Sequence, residues 1–313
     1  MRGLRIVATG RALPERTVTN DDMSRLVDTS DEWIVSRSGI RERRFCGEGE
    51  NSAVLAARAA GQALERAGID PRELAACLVA TVSPQYATPS NGCVVQQALG
   101  LPEEVPCFDI SVGCTGFVYG LQIARGLLLQ DQRPYALVVG AEALSHIMDF
   151  TDRSTCVLFG DGAGAAVVRL EEGAPYACVL GARGSPETLW ALGPGAEASH
   201  IHMDGKAVFR FAVEAVPKVV RELLDRGGLT MEEVDWIVPH QANRRIVESA
   251  ARRLGLPMDK FFLNLDRYGN TSGASIPLAL DEMAERGLLK RGQKIICVGF
   301  GAGLTWGGML LEW

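Results

Sequence analysis

The chain of 313 residues has no long apolar run of the kind found in membrane proteins. No stretch approaches the roughly 20 consecutive apolar residues that a membrane-spanning helix needs. Residues 1–8 also lack the apolar core of a secretory signal peptide. Lysine and arginine number 32 against 38 aspartate and glutamate residues, which gives a net charge of −6. We therefore expect neither membrane association nor a nucleic-acid partner.

The sequence also lacks cysteine and histidine in the spacing of metal sites. Its eight cysteines are scattered, and most lie in apolar runs where a buried, inert thiol is the usual outcome. The pair His200 and His202 has no carboxylate or cysteine at ligand spacing, so we expect no metal. A compact chain of this length buries about three quarters of its extended surface and needs no disulfides. The composition is typical of a cytoplasmic protein with reduced thiols.

No linker rich in proline, glycine or serine divides the chain, yet its two halves resemble each other. Val- and Ile-rich runs alternate with longer amphipathic stretches, a pattern typical of α/β proteins. Four blocks match in the same order: 63–80 with 223–240, 99–102 with 254–257, 113–115 with 269–271, and 137–140 with 296–299. Their nearly constant shift predicts two copies of one unit, residues 1–171 and 172–313, packed as pseudo-symmetric halves around one core.

Cys114 differs from the other cysteines in its surroundings. It follows a strand-like run and precedes a helical stripe of apolar residues that begins at Phe117. The free N–H groups and the dipole at the start of a helix favour a thiolate and lower the pKa of a thiol. Gly113 and Gly116 would allow substrate to come close. The residues alone leave two interpretations open, a nucleophile and a small residue that fills a crowded helix start.

Two further polar residues occupy comparable positions in the second half. His240 ends an apolar strand, and Asn270 lies in a turn before a helix that carries Pro277 in its first turn. If the halves pack around a pseudo-axis, the Cys114 turn, the Asn270 turn and the end of the His240 strand meet there. Taken singly, a histidine is more often structural, and asparagine is common in turns.

Two glycine-rich loops invite comparison with nucleotide-binding sites. Gly160–Gly164 and Gly299–Gly303 each have strand-like runs on both sides, whereas phosphate-binding loops lead into a helix. We therefore expect two β-hairpins. Free backbone N–H groups in such a loop can form half of an oxyanion hole.

The segment after His240 predicts an amphipathic helix with a basic face. Arg245, Arg252 and Arg253 share that face, opposite a stripe of apolar residues. A charged face is usually only a solvated one, but this protein is acidic overall. The arginines would suit an anionic substrate or an acidic partner.

Six motifs resemble, in order, those of β-ketoacyl-acyl carrier protein synthase III. They are 28–41, 113–117, 159–164, 240–243, 268–272 and 300–306, and they cover nearly the whole chain. The resemblance implies a thiolase-like duplicated α/β fold, a five-layer α/β/α/β/α sandwich of two pseudo-symmetric halves, in a homodimer. It also implies an acyltransferase that needs no cofactor.

The resemblance implies a two-step reaction that starts fatty acid or polyketide synthesis. Cys114 takes an acyl group from acyl-CoA. Malonyl-acyl carrier protein then loses CO₂ and attacks the acyl-enzyme, while His240 and Asn270 stabilise the enolate. The backbone N–H groups of Cys114 and Ala302 would form a second oxyanion hole.

The resemblance assigns further residues to two binding surfaces and an acyl pocket. The CoA-binding residues are Trp33, Arg37, Arg153, Phe209 and Asn243. The residues that would dock the carrier protein are Arg210, Arg245, Arg252 and Arg253. Thr88 stands where many members place a bulky aromatic that reaches the acyl pocket of the partner subunit.

The chain departs from the family pattern at three of its residues. Ala302 replaces a usual glycine, Lys206 replaces an asparagine near the pantetheine path, and Thr88 replaces the aromatic. These changes leave the identity of the acyl primer open.

A thiolase is disfavoured, because Phe300 and Gly-Asn-Thr stand where thiolases have a second cysteine and Gly-His-Pro. The main alternative is an acyltransferase of secondary metabolism with a non-carrier acceptor. The presence of Cys114, His240 and Asn270 argues against a catalytically silent dimer partner.

Overall fold

Short strands and helices alternate along the residues that the computed structural model describes, 2–193 and 200–313. The helices are α1 Asn20–Ser24, α2 Asp31–Ser38, α3 Ser52–Ala67, α4 Asn91–Leu99, α5 Gly116–Leu128, α6 Gly205–Gly227, α7 Arg244–Leu254, α8 Leu265–Tyr268 and α9 Ser275–Glu285. The strands are β1 Arg2–Ala12, β2 Arg16–Thr19, β3 Glu42–Phe45, β4 Leu74–Ala80, β5 Cys107–Ile110, β6 Tyr135–Glu142, β7 Gly162–Glu172, β8 Ala177–Ala182, β9 Leu189–Trp190, β10 His202–Met203, β11 Trp236–Pro239, β12 Lys294–Gly301 and β13 Thr305–Glu312. In this part of the chain, no helix is long and apolar enough to cross a membrane.

Local sequence signals fix where the helix with the basic face begins and ends. The side chain of Asn243 accepts a hydrogen bond from the backbone N–H of Arg245 and caps the first turn of α7. Gly255 ends the helix in the left-handed conformation, with φ of 70°. The apolar stripe of α7 is buried and its arginines face outward, as the sequence predicts.

Two groups of strands repeat the same pattern of pairing. In the first group, of order β5-β4-β6-β7-β1, β4 runs parallel to β5 and β6, whereas β7 is antiparallel to β6 and β1. In the second, β12 is parallel to β11 and antiparallel to β13, which pairs antiparallel with β8. A pairing between β1 and β13 joins the groups. The expected division after residue 171 falls at the end of β7 and stays a prediction.

The helices lie in three layers around these two groups of strands. Helices α5 and α9 contact strands of both groups and therefore form the middle layer. Helices α3 and α4 cover the outer face of the first group, and α6 and α7 cover that of the second. The core of the middle layer includes Phe117, Leu121, Ile276 and Leu280, all nearly inaccessible. This is the α/β/α/β/α sandwich that the family resemblance implies.

Of the two expected hairpins, the structure forms one. Strands β12 and β13 pair as far as Gly301 with Thr305, so the second hairpin forms as expected and turns at residues 302–304. The prediction of a strand before Gly160 is wrong. Residues 156–158 form turns, and Phe159 makes a single parallel bridge to Asn270. The reason lies in local bonding, because the N–H of Leu158 bonds the carbonyl of Thr155 one turn back. A strand there would lose this turn.

Two short turns, one in each half, have the same backbone form. Gly113–Thr115 and Ser272–Ala274 are both three-residue 3₁₀ turns, and each leads into a middle-layer helix. Their first residues both adopt the left-handed region, with φ of 55° at Gly113 and 46° at Ser272. These two turns are therefore the equivalent elements of the two halves.

The sequence alignment of Cys114 with Asn270 is therefore wrong by three positions. In the structure, Cys114 corresponds to Gly273, at the shift of 159 that also relates β6 to β12. Packing agrees, because Gly299 of β12 lies against the carbonyl of Cys114, and Gly140 of β6 lies against that of Gly273. Asn270 lies before the turn of the second half and not in it. The alignment is wrong because short motifs rich in glycine and small residues match in more than one register.

Candidate active site

One cavity of about 860 Å³ is lined by Cys114, His240 and Asn270. The sequence predicts that these three residues lie close together, and the structure places them in the lining of one cavity. The cavity extends from Cys114 to Trp33 and Arg37, the second of which is exposed at the surface. Residues expected to contact CoA or the carrier protein also line it: Phe209, Arg210, Asn243 and Arg245.

Cys114 lies at the centre of the turn before α5 and is 7% exposed. Gly301, at the end of β12, faces it closely. A Cβ added to Gly301 would lie 2.8 Å from the Cβ of Cys114 and 3.1 Å from its Sγ. Only glycine leaves room for the cysteine side chain at this place. The absence of a side chain at residue 301 is therefore part of how the cysteine is positioned.

The thiol of Cys114 is protonated at neutral pH in this structure. Burial raises its pKa to about 12, and the nearby Glu142 adds to the effect, whereas a hydrogen bond with the side chain of Ser272 works against it. The sequence predicts the opposite direction from the helix start, and that expectation is wrong here. Desolvation outweighs the helix end, because the sulfur is almost fully removed from water.

His240 follows β11 and is 2% exposed. Its backbone N–H donates to the carbonyl of Val298, 2.8 Å away, and its Nδ1 lies 2.7 Å from the hydroxyl of Ser275. Phe300 packs edge-on against the ring at 5.4 Å. Burial lowers the pKa of His240 to about 3, so the imidazole is neutral at pH 7. A neutral imidazole donates one hydrogen bond and accepts one.

Asn270 is held by its own backbone and by its side-chain oxygen. Its N–H donates to the carbonyl of Leu158, and its carbonyl accepts from the N–H of Gly160. The Oδ1 atom accepts from the N–H of Ser272 at 2.9 Å. That bond identifies the oxygen, so the Nδ2 amide is the end left to donate. The side chain can therefore supply a hydrogen-bond donor to a group in the cavity.

Glu142 lies near Cys114 and raises the pKa of its thiol, although it is not in the lining of the cavity and the sequence analysis does not single it out. It ends β6, is fully buried, and accepts hydrogen bonds from the hydroxyls of Thr81 and Ser83 and the N–H of Val82. Burial raises its pKa to about 7, although those hydrogen bonds lower it. The signal in the sequence is a single carboxylate at the end of an apolar strand, too common a feature to stand out.

The residues at the outer end of the cavity gather around Trp33. The guanidinium groups of Arg153 and Arg37 lie 5.3 Å and 5.9 Å from the centre of its rings. Arg153 also donates to the carbonyl of Asp28, and Asn243 donates to that of Arg37. An aromatic plate with cations beside it suits a flat, phosphate-bearing group.

The arginines expected to dock a partner are all exposed. Arg210 lies on α6, and Arg245, Arg252 and Arg253 lie on α7. Arg245 also lies over the ring of Phe209 at 5.5 Å. The surface beside the cavity mouth is therefore basic in a protein of net negative charge.

Two other expected residues occupy different places. A Cβ added to Gly113 would lie 3.5 Å from the backbone nitrogen of Ala302, so that N–H adjoins the cysteine turn. Thr88 is exposed in the segment before α4 and is not in the lining of the Cys114 cavity. Its role at a partner subunit stays a prediction. Within residues 2–193 and 200–313, no group of three or more His, Cys, Asp or Glu side chains could hold a metal ion.

Comparison with known proteins gives matches along nearly the whole chain. The family described as 3-oxoacyl-[acyl-carrier-protein] synthase III matches residues 108–184, and the description of its C-terminal part matches residues 224–313. The β-ketoacyl-[acyl-carrier-protein] synthase III of Clostridium acetobutylicum is 50% identical over 326 aligned positions, which cover 100% of this chain and 99% of that protein.

Solved structures agree in both fold and coverage. The crystal structure of 3-oxoacyl-[acyl-carrier-protein] synthase III from Aquifex aeolicus VF5 superposes with a TM-score of 0.94 at 44% identity, over 99% of this chain and 100% of that one. The priming β-ketosynthase of the R1128 polyketide pathway gives a TM-score of 0.92 at 36% identity, over 99% and 96%.

Proposed function

Because the chain belongs to the 3-oxoacyl-[acyl-carrier-protein] synthase III family of condensing acyltransferases, we propose that Cys114, His240 and Asn270 carry out its reaction. Its activity is that of this family, in which an acyl group is joined to a malonyl group to start fatty acid or polyketide synthesis. The observation that carries our assignment is the single cavity that these three side chains line.

In the first step, the sulfur of Cys114 attacks the carbonyl carbon of an acyl-CoA. The proton of the thiol goes to the sulfur of CoA, which leaves as a thiol, so that charge balances overall. The negative oxygen of the intermediate needs hydrogen-bond donors. We assign the backbone N–H groups of Cys114 and Ala302 to that task, since Ala302 adjoins the cysteine turn.

In the second step, malonyl-acyl carrier protein replaces CoA and loses CO₂. The electrons of the broken bond form an enolate, to which His240 and Asn270 donate hydrogen bonds. The enolate carbon attacks the acyl carbonyl, Cys114 leaves as a thiolate and takes up a proton, and a β-ketoacyl product forms. A neutral imidazole and an oriented amide suit a developing negative oxygen. We propose that no cofactor takes part.

The outer end of the cavity would hold the rest of each substrate. We propose that Trp33 and Arg153 enclose the adenine of CoA and that Arg37 meets a phosphate. Phe209 and Asn243, which line the cavity, would contact the pantetheine chain. The exposed arginines 210, 245, 252 and 253 would dock the acidic carrier protein.

We also propose that the protein is a cytoplasmic homodimer. Strand β5 stands at one end of the sheet order, so it can pair with the same strand of a second copy. Thr88 would then meet the acyl pocket of the partner subunit. A threonine in place of an aromatic leaves more room there, which would admit a longer or branched primer.

The two steps can be separated experimentally. We expect His240→Ala and Asn270→Ala to form the acyl-enzyme at rates within about threefold of wild type. Both should lose condensation with malonyl-acyl carrier protein by about 100-fold, the usual effect of removing one such donor. Intact mass spectrometry follows the first step, and product formation from pre-acylated enzyme follows the second. Normal condensation in either variant would refute its assigned role.

A further inference from the structure

The hydroxyl of Ser275 contacts Nδ1 of the His240 ring, which is the nitrogen that does not bind substrate in the proposed reaction. Ser275 is the first residue of α9 and is 2% exposed. Its Oγ lies 2.7 Å from Nδ1 of His240, and it also accepts from the backbone N–H of Gln241 at 3.3 Å. One buried oxygen atom therefore connects the start of α9 with the ring of His240 and with the backbone that follows β11.

The surroundings of this oxygen indicate which way its proton points. The N–H of Gln241 can only donate, so it occupies a lone pair of the hydroxyl oxygen. Among the described residues, the hydroxyl oxygen of Ser275 makes two hydrogen bonds, with the N–H of Gln241 and with Nδ1 of His240, and no carbonyl accepts from it. The hydroxyl proton is thereby directed to Nδ1 of His240. A nitrogen that accepts a hydrogen bond carries no proton, which places the ring proton on Nε2.

We propose that Ser275 is a positioning residue that holds His240 as the neutral tautomer protonated at Nε2, so that this nitrogen donates to the enolate. The proposal rests on the function proposed above, in which His240 is a donor. A hydroxyl suits this task better than a carboxylate. A carboxylate at Nδ1 would favour the charged imidazolium, whereas a hydroxyl orients the ring and leaves it neutral.

The first half of the chain shows that the fold itself does not require this hydroxyl. At the shift of 159, the residue equivalent to Ser275 is Gly116, which also opens a middle-layer helix. A Cβ on Gly116 would lie 2.7 Å from the Cβ of Ala80, the last residue of β4. The same junction of strand and helix therefore forms with no side chain at all. What differs in the second half is the histidine that follows its strand.

Nitrogen NMR of the imidazole rings tests the tautomer directly. The chain has four histidines, and the spectrum of His240→Ala identifies the resonances of His240. We expect the wild-type spectrum at pH 7 to show a ring protonated at Nε2, with Nδ1 shifted by an accepted hydrogen bond. A ring protonated at Nδ1 would overturn the proposal. The role of His240 in condensation would be judged separately, by the loss of that step in His240→Ala.

The variant Ser275→Ala tests the consequence for the reaction. We expect condensation from pre-acylated enzyme to fall by about 10- to 100-fold, by analogy with the range seen when the hydrogen-bond partner of a metal-bound histidine is removed. Acyl transfer from acyl-CoA to Cys114 should stay within about twofold. The imidazole spectrum should lose the Nδ1 shift, and Ser275→Thr, which keeps the hydroxyl, should recover most of the rate.

A matched control separates positioning from general loss of packing. Ser52→Ala also removes a buried hydroxyl, one that bonds the carbonyl of Ser83 and has no contact with His240. Both half-reactions should stay near wild type in this control. If Ser275→Ala slows acylation as much as condensation, or leaves condensation unchanged, Ser275 does not position His240.

Discussion

The two equivalent turns differ in what they contribute, although their backbones are alike. In the first half, the turn carries Cys114, and in the second half the same place holds Gly273. The second half instead supplies His240 at its strand end and Asn270 just before its turn. Duplication thus yields one cavity with the nucleophile from one half and the hydrogen-bond donors from the other.

The packing around the two turns also differs. A Cβ on Gly140 would lie 2.2 Å from the carbonyl oxygen of Gly273, whereas one on Gly299 would lie 3.2 Å from that of Cys114. Gly301 also lies against the side chain of Cys114, whereas its counterpart at the shift of 159, Glu142, has Oε1 at 3.7 Å from a Cβ added to Gly273. The turn of the second half is thus packed more tightly against its neighbouring strand, β6, than the cysteine turn is against β12. The cysteine turn keeps space for a side chain and its acyl group.

The first prediction removes that space. Gly301→Ala would place a Cβ 2.8 Å from the Cβ of Cys114, too close for the cysteine to stay where it is. We expect acyl-enzyme formation to fall by about 100-fold, because displacing a reacting group by about 1 Å has effects of this size. Rapid-quench mass spectrometry of the acyl adduct measures the rate.

Gly126→Ala is its control, since a Cβ at that position on α5 meets nothing within 4 Å. The control should acylate at the wild-type rate and unfold at the same temperature or slightly above. If Gly301→Ala acylates at the wild-type rate, the position of Cys114 does not depend on the absence of a side chain at residue 301. The difference in packing between the two turns would then have no effect on the reaction.

The second prediction concerns His240 and the dependence of the protein's stability on pH. The pKa of His240 is lowered to about 3 by burial, whereas in the unfolded chain it is ordinary, 6.5. The unfolded state therefore binds a proton that the folded state excludes, so stability falls as pH drops below about 6.5. Between pH 7.5 and pH 5 we expect a loss of about 2 kcal/mol relative to His240→Asn.

Urea unfolding of both proteins at the two pH values measures this difference. All other titrating groups are shared, so the difference between the two proteins isolates residue 240. Parallel pH dependence in wild type and His240→Asn would mean that the pKa of His240 is the same in the folded and unfolded protein, which would contradict the lowering of that pKa by burial.

The third prediction concerns the surface around the cavity mouth, where the second half supplies most of the charge. The double variant Arg245→Glu with Arg252→Glu should raise KM for malonyl-acyl carrier protein by about tenfold, since two exposed attractive charges become repulsive. Acylation by a small thioester that lacks the nucleotide should change by less than about twofold. Steady-state kinetics with both substrates measures the ratio.

Arg72→Glu reverses an exposed charge on the short turn before β4 and is the control. It should leave both values unchanged. A similar rise in KM in the control, or equal losses with both substrates in the double variant, would exclude specific docking by these arginines.

Much of the framework is predictable from local patterns. The stripe at Phe117 predicts α5, Pro277 lies in the first turn of α9, and Asn243 and Gly255 delimit α7. Each of these signals acts over one or two helical turns, so the residues nearby contain all the information. The repeat then predicts two similar halves that share one core, and the two sheets with a middle layer of helices are what the family resemblance implies.

What fails in the sequence analysis depends on three-dimensional surroundings. The thiol of Cys114 is predicted to have a lowered pKa, but burial by both halves raises it. The aligned position of Asn270 is off by three residues, since only packing against Gly140 and Gly299 distinguishes Gly273 as the true counterpart. Ser275 goes unnoticed because its contact with His240 joins residues 35 positions apart.

The central claim is that Cys114 accepts an acyl group from acyl-CoA, and intact mass spectrometry with a panel of straight and branched acyl-CoAs tests it most directly. We predict that at least one member adds the mass of its acyl group once per chain, that peptide mapping places the group on Cys114, and that Cys114→Ala shows no adduct. An adduct that persists in Cys114→Ala, or no adduct with any member of the panel, would contradict the account.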